Sequence, residues 1–218
     1  MATGINDNTK IAGTYTVGDW KRDRQNLDKA TDPGIWEVVF GVFETRIETR
    51  FLSPIEKILS LDKMEGEGFA VVAIQCILVE FLAAFYFGKV YVPRQGESAN
   101  DLADYEYSSS ADLVKDFLTT CEPFRTSFTS RTIAGDFFSD FRCGLLHEAA
   151  TKKAALIRVS EGRKDLVIEK CSAGFVLYRD NFQKAILRFL EKYREELLTS
   201  EEKKESFVRK MNDICQIK

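Results

Sequence analysis

The sequence predicts a mainly α-helical fold, a helical bundle with one inserted β-hairpin. Apolar residues recur at spacings of three and four along much of the chain, as they do on one face of a helix. Residues 69–87 are apolar on nearly all sides, which is typical of a helix buried in a bundle. The helical spacing is interrupted at about residues 154–171, where short Val- and Ile-rich runs flank Gly162 and predict the hairpin.

Length and composition narrow the class of protein. A chain of 218 residues with 44% hydrophobic and 30% charged residues is an ordinary globular protein, not a collagen-like, disulfide-scaffold or wholly disordered one. Its formal net charge of -3 gives no general argument for nucleic-acid binding, which leaves only a local basic face for that role. Five scattered cysteines without a Cys-x-x-Cys pair predict free, mostly buried thiols. A start without an apolar signal core adds the expectation of a cytoplasmic protein.

The first third of the chain predicts an arm followed by helices. Residues 1–30 are polar and lack a sustained period, so we expect a flexible N-terminal arm. A single helical domain is predicted over residues 31–218. Asp32 as a cap and Pro33 in the first turn predict its first helix, which Pro54 breaks or restarts.

The apolar run at residues 69–87 has two interpretations. It is nearly long enough to cross a bilayer, but it contains Gln75 and Glu80, and a carboxylate near the bilayer centre is costly. No basic cluster flanks it to set an orientation. We therefore expect a helix buried in protein, with a membrane span as the alternative. Buried carboxylates are usually paired, so Glu80 is expected to bond Arg142 or another arginine of the bundle.

The remaining elements follow from local signals. The residues flanking Pro93 and Gly96 predict a loop, and serines near Ser110 can cap a short helix. Further helices are predicted over about residues 130–150 and 179–198, and a capping box around Ser200 predicts a last one.

The strongest chemical signal surrounds the only histidine. His147 lies five residues after Arg142 in the run FRCGLLHE, within a predicted helix. Five residues correspond to about 140° around a helix, which places His147 away from the apolar stripe and toward Ser139, Asp140 and Cys143. A core role for His147 fits this position poorly.

The segment from Arg142 to His147 resembles the R-x4-6-H motif of the HEPN superfamily. The resemblance extends over about residues 32–198, with the motif on a late helix of a small bundle. It implies a dimeric α-helical domain, which in many members is a metal-independent ribonuclease of toxin–antitoxin, abortive-infection or other antiviral defence systems. Cys143 departs from the polar residue that often follows the motif arginine in active members.

The chemistry of the two motif residues fits this implication. Histidine titrates nearest neutral pH and can act as general base or acid, while arginine can stabilise a developing phosphorane. One imidazole cannot easily serve as both base and acid, so two copies across a two-fold axis give a reason for a homodimer. Arg142 and His147 are therefore the predicted catalytic residues, with possible support from the side chains of Cys143, Asp140, Ser139 and Glu80.

These observations define two function hypotheses. The first is a metal- and cofactor-independent endoribonuclease with RNA as substrate and a possible antitoxin protein as partner. The second is a non-catalytic dimeric HEPN-like module that binds a partner protein or nucleic acid. A structural or interface role for Arg142 and His147 would fit the second hypothesis.

Overall fold

A computed structural model describes residues 5–27, 33–61, 65–93 and 102–217, and its mainly α-helical content confirms the predicted fold class. The helices are α1 (Val17–Leu27), α2 (Pro33–Ile47), α3 (Ser53–Leu59), α4 (Glu67–Tyr86), α5 (Ser110–Thr120), α6 (Arg131–Phe137), α7 (Gly144–Glu148), α8 (Arg179–Thr199) and α9 (Glu201–Ile214). The strands are β1 (Lys10–Ala12), β2 (Tyr15–Thr16), β3 (Val90–Tyr91), β4 (Glu106–Tyr107), β5 (Leu156–Arg158), β6 (Ile168–Lys170) and β7 (Phe175–Tyr178).

The chain divides into two compact units. The first consists of the described residues within Met1–Pro54, Ala84–Glu106 and Tyr193–Lys218, and the second of those within Ile55–Ala83 and Tyr107–Lys192. Helices α4 and α8 each contribute residues to both units. The prediction of a single helical domain over residues 31–218 therefore stays a prediction.

Aromatic side chains form the core of the first unit. The rings of Phe43 and Phe85 lie 4.6 Å apart, centroid to centroid, and Phe207 lies 5.6 Å from Phe43. Tyr193 is buried beside them, and its hydroxyl donates a hydrogen bond to the Phe85 carbonyl at 3.4 Å. Such ring pairs add to the stabilisation that burial of their area provides.

The N-terminal residues differ from the expected flexible arm. Residues 10–27 form the paired strands β1 and β2 followed by α1, and Trp20 on α1 is completely buried. The indole Nε1 of Trp20 donates to Asn212 on α9 at 3.0 Å. A polar segment without a period is thus ordered by one large side chain and by a partner 192 residues further along the chain.

The helical chain restarts at Pro54, one of the two outcomes that the sequence predicts there. It begins at Pro33, as predicted, whereas the predicted cap Asp32 lies outside the described residues. A π-helical turn over Glu48–Leu52 joins α2 to α3, and Pro54 is the second residue of α3. Because proline lacks an N–H group, the wider turn before it allows the chain to remain helical.

The second unit contains a three-stranded sheet where the sequence predicts a hairpin. Strands β5 and β6 fall within residues 154–171 as predicted, but they do not pair with each other. Both pair with β7, which is parallel to β5 and antiparallel to β6. The predicted hairpin pairing is therefore wrong. All four residues of β7 are buried, so this central strand is a continuous apolar run without the alternation that marks a half-exposed strand.

Helix α4 is the apolar segment that the sequence singles out. Among the described residues it is the one helix long and apolar enough to cross a membrane, and 56% of its most apolar stretch is buried within the protein. The two polar residues inside its apolar run, Gln75 and Glu80, have partners within the protein. The Gln75 amide donates to the Arg179 carbonyl at 2.9 Å and to Gln183 Oε1 at 3.0 Å, and Glu80 pairs with Arg142.

Candidate functional site

The predicted site residues lie on one helical segment, here called the motif helix, which consists of α6, a π-helical turn over Phe138–Cys143, and α7. Ser130 caps its start by accepting a hydrogen bond from the Ile133 N–H at 3.3 Å. The π turn contains Ser139, Asp140, Arg142 and Cys143, whereas His147 lies in the last turn of α7. Single π turns within α-helices are frequent at functional sites.

Arg142 contacts one residue of another helix and one residue of its own helix. Its Nη2 donates to Glu80 Oε2 on α4 at 3.0 Å, which confirms the expected pairing of Glu80. The Ser110 hydroxyl, at the start of α5, donates to the other carboxylate oxygen of Glu80 at 2.5 Å. The Phe138 ring centroid lies 5.1 Å from the guanidinium carbon. These contacts fix the guanidinium while its side chain remains 21% exposed.

Cys76, which the charges of Arg142 and Glu80 both influence, is buried. Burial raises the pKa of Cys76 well above its ordinary value, and the positive charge of Arg142 opposes that effect only in part. A buried thiol with a raised pKa is a poor nucleophile, so Cys76 has a packing role. Cys143, at the end of the π turn, is half-buried.

His147 is exposed at the end of the motif helix, as its position away from the apolar stripe predicts. Among the described residues, no side chain forms an ion pair or hydrogen bond with it. Its neighbour Leu146 is also exposed. The single chain therefore holds Arg142 firmly and leaves the imidazole accessible to a substrate, a partner or a second copy.

Asp140 binds two residues of the segment that follows the motif helix, Lys152 and Lys153. It is buried, and its carboxylate forms an ion pair with Lys153 Nζ at 3.3 Å. Its carbonyl accepts a hydrogen bond from the Lys152 N–H at 2.9 Å. These contacts give Asp140 a structural role, whereas Ser139 is half-buried on the same turn.

Close packing requires a glycine at position 144, within the Arg142–His147 motif. A Cβ atom at this position would lie 2.4 Å from the carbonyl oxygen of Ala150, closer than side-chain carbons approach backbone. The chain returns across the motif helix there because Ala149 adopts a left-handed conformation with φ of 51°. Helical spacing does not indicate this requirement, because the residue that contacts Gly144 lies beyond the end of the helix.

The site was also compared with metal-binding arrangements and with known proteins. Among the described residues, no group of three or more His, Cys, Asp and Glu side chains is arranged to hold a metal ion. No family model matches the chain, and no curated protein or solved structure matches it. The HEPN relationship therefore stays a prediction from the Arg142–His147 motif.

Proposed function

We propose that the protein is a metal-independent endoribonuclease in which Arg142 and His147 act on an RNA phosphodiester, as the HEPN resemblance implies. The observation that carries this proposal is the contrast between the two residues. Arg142 is positioned by Glu80 and Phe138, and the only imidazole of the chain is exposed further along the same helix. A positioned guanidinium can stabilise negative charge on the phosphate, and an accessible imidazole can transfer a proton, two of the roles in the proposed cleavage.

The proposed reaction balances without a cofactor. An imidazole takes the proton from the ribose 2′-hydroxyl, and the 2′-oxygen forms a bond to phosphorus. The bond from phosphorus to the 5′-oxygen breaks, and that oxygen receives a proton from a second imidazole. The products are a 2′,3′-cyclic phosphate and a 5′-hydroxyl. Because each chain has one histidine, the second imidazole comes from a second copy in a homodimer.

In this proposal Glu80 is a positioning residue for Arg142. A guanidinium has five N–H donors, and the hydrogen bond from Nη2 to Glu80 uses one of them. The exposed part of the guanidinium can donate to phosphate oxygens, whose charge increases as the 2′-oxygen attacks. The Phe138 ring against the guanidinium restricts its rotation.

The same ion pair favours a second candidate function, a non-catalytic dimeric module that binds a partner protein or nucleic acid. The Glu80 carboxylate neutralises the charge of Arg142, which weakens its attraction for an RNA phosphate. In that case exposed His147 and Leu146 would contribute to a binding surface instead of a catalytic centre.

Cleavage assays on the purified chain separate the two functions. We expect cleavage of single-stranded RNA that chelators leave unchanged, with products ending in 2′,3′-cyclic phosphate. His147→Ala should abolish cleavage, and the neighbouring exposed variant Glu148→Gln should retain it. Sedimentation equilibrium should give a dimer. A dimer that leaves diverse RNAs uncut, or a His147→Ala variant that cleaves as well as the parent, would refute the ribonuclease and favour the binding module.

A further inference from the structure

A cavity of about 180 Å³ lies in the second unit, beside the first turn of α4 and one end of the three-stranded sheet. Two arginines, Arg158 and Arg179, line it together with the apolar residues Phe69, Ile157 and Val159. None of these residues belongs to the Arg142–His147 motif. The volume is small and suits a compact chemical group.

Strand topology accounts for the two arginines. Arg158 is the last residue of β5 and is in register with Tyr178, the last residue of β7. Because the two strands are parallel, both end at the same edge of the sheet. Arg179 directly follows Tyr178. One arginine at the end of β5 and one just after β7 therefore line the cavity.

Within the part of the chain that the structure describes, these arginines differ from their neighbours in having no counter-ion. Arg163 pairs with Glu169, and Arg188 pairs with Asp165 at 2.6 Å. Among the described residues, the guanidinium groups of Arg158 and Arg179 form no ion pair or hydrogen bond. Two cations that share one small cavity repel each other unless an anion lies between them.

The position of Arg179 is defined by its contact with Gly68. A Cβ atom at residue 68 would lie 3.2 Å from Arg179 Nη1, so the guanidinium lies directly against the glycine at the cavity wall. Glu67, whose carboxylate oxygen Oε2 is buried, also lines the cavity. Two arginines and one glutamate leave a formal charge of +1 in the lining.

We propose that this cavity binds the phosphate group of a small phosphorylated molecule. Arg158 and Arg179 would donate charge-assisted hydrogen bonds to the phosphate oxygens. The planar guanidinium group is well suited to this role, because two of its N–H groups can bind two oxygens of one phosphate. Phe69 and Val159, which are 43% and 41% exposed, would contact the organic part of the ligand. This binding site goes beyond the proposed ribonuclease activity and does not depend on it.

Titration of the full chain tests the proposal with three probes: inorganic phosphate, adenosine 5′-monophosphate and adenosine. We expect the two phosphate-containing probes to bind by calorimetry or by NMR shifts near Gly68, and adenosine to bind at least about tenfold more weakly than its monophosphate. Arg179→Gln should weaken phosphate binding about tenfold, and Gly68→Ala should weaken it without changing the charge.

A charge-matched variant and a competing oligonucleotide serve as controls for phosphate binding. Arg24→Gln, on α1, removes the same charge outside the cavity and should leave binding unchanged. Absence of phosphate binding, or equal binding by the Arg179→Gln and Arg24→Gln variants, would overturn the proposal. A DNA oligonucleotide without terminal phosphate should not compete. Competition as strong as that of the monophosphate would assign the cavity to backbone phosphates and overturn its assignment to a small ligand.

Discussion

Glu80 and Arg142 form an ion pair at 3.0 Å that joins the apolar helix α4 to the motif helix. The pair accounts for two residues that each look anomalous in the sequence, a carboxylate inside an apolar run and an arginine beside an apolar face. The Ser110 hydroxyl adds α5 to the same network through Glu80. Both charged side chains are about one-fifth exposed, at 20% and 21%, so the network lies at the edge of the core.

Removal of the Glu80 charge should destabilise the protein. Glu80→Gln keeps the shape of the side chain but leaves Arg142 as a partly buried charge without its counter-ion. We expect the free energy of unfolding in urea to fall by about 1–2 kcal/mol, less than for a fully buried pair because solvent screens the charge. The exposed variant Glu56→Gln should change it by less than about 0.5 kcal/mol.

A double-mutant cycle with Arg142→Gln measures the coupling of the pair. We expect the double variant to be more stable than the sum of the single losses predicts, by about 0.5–2 kcal/mol, since neither charge is then left alone. Additive losses would show that Glu80 and Arg142 contribute to stability independently, contrary to the ion pair seen here.

His147→Ala should leave the fold intact. The side chain is exposed and has no polar partner among the described residues, so the free energy of unfolding should change by less than about 0.5 kcal/mol. Phe141→Ala, on the same helix but completely buried, should cost about 3–5 kcal/mol. If the two variants lost comparable free energy of unfolding, His147 would be packed in the core. A loss of RNA cleavage in His147→Ala would then reflect unfolding and not a catalytic role.

Two glycine substitutions should have opposite effects. Gly144→Ala places Cβ 2.4 Å from the Ala150 carbonyl oxygen, so the return of the chain across the motif helix must shift. We expect a loss of about 2–3 kcal/mol in the free energy of unfolding. Gly41→Ala lies within α2 with no atom within 4 Å of its new Cβ, and should stabilise by about 0.5–1 kcal/mol. A stabilising Gly144→Ala would contradict the close approach.

The five thiols should react in an order set by burial. Cys171 is exposed and Cys143 half-buried, whereas Cys76, Cys121 and Cys215 are buried. Iodoacetamide at pH 8, followed by mass spectrometry, should modify Cys171 first, Cys143 next and the buried three only in denaturant. Early modification of Cys76 or Cys215 would show that the core opens around it.

The buried thiols should also make stability fall at alkaline pH. Burial raises the pKa of Cys215 to about 11, above the value of about 8.5 in an unfolded chain. The folded state keeps a proton that the unfolded chain loses, so this contribution to stability is complete below pH 8 and decreases as the pH rises toward 11. Urea unfolding at pH 7.5 and 9.5 should show a smaller decrease in Cys215→Ala than in the parent, and an unchanged decrease in Cys171→Ala.

The sequence by itself determined those features that are encoded within a few neighbouring residues. Spacings of three and four predict α2, α5 and α8 because one face of each helix must be apolar to pack. The start of α9 follows from Ser200, whose hydroxyl accepts a hydrogen bond from the Lys203 N–H at 3.4 Å. The exposure of His147 follows from its angle to the apolar stripe, and the need of Glu80 for a partner follows from the cost of burying a charge.

Tertiary structure decided what depends on residues far apart in the chain. The choice of β7 as the central strand, the burial of Trp20 beside Asn212, and the contact of Gly144 with Ala150 each require a partner that local spacing does not specify. Arg158 and Arg179 are ordinary polar residues in sequence, and they line one cavity because β5 and β7 run parallel. The period of the sequence predicts which face of a helix or strand is apolar. Which residues pack against that face is determined only when segments distant in the chain come together.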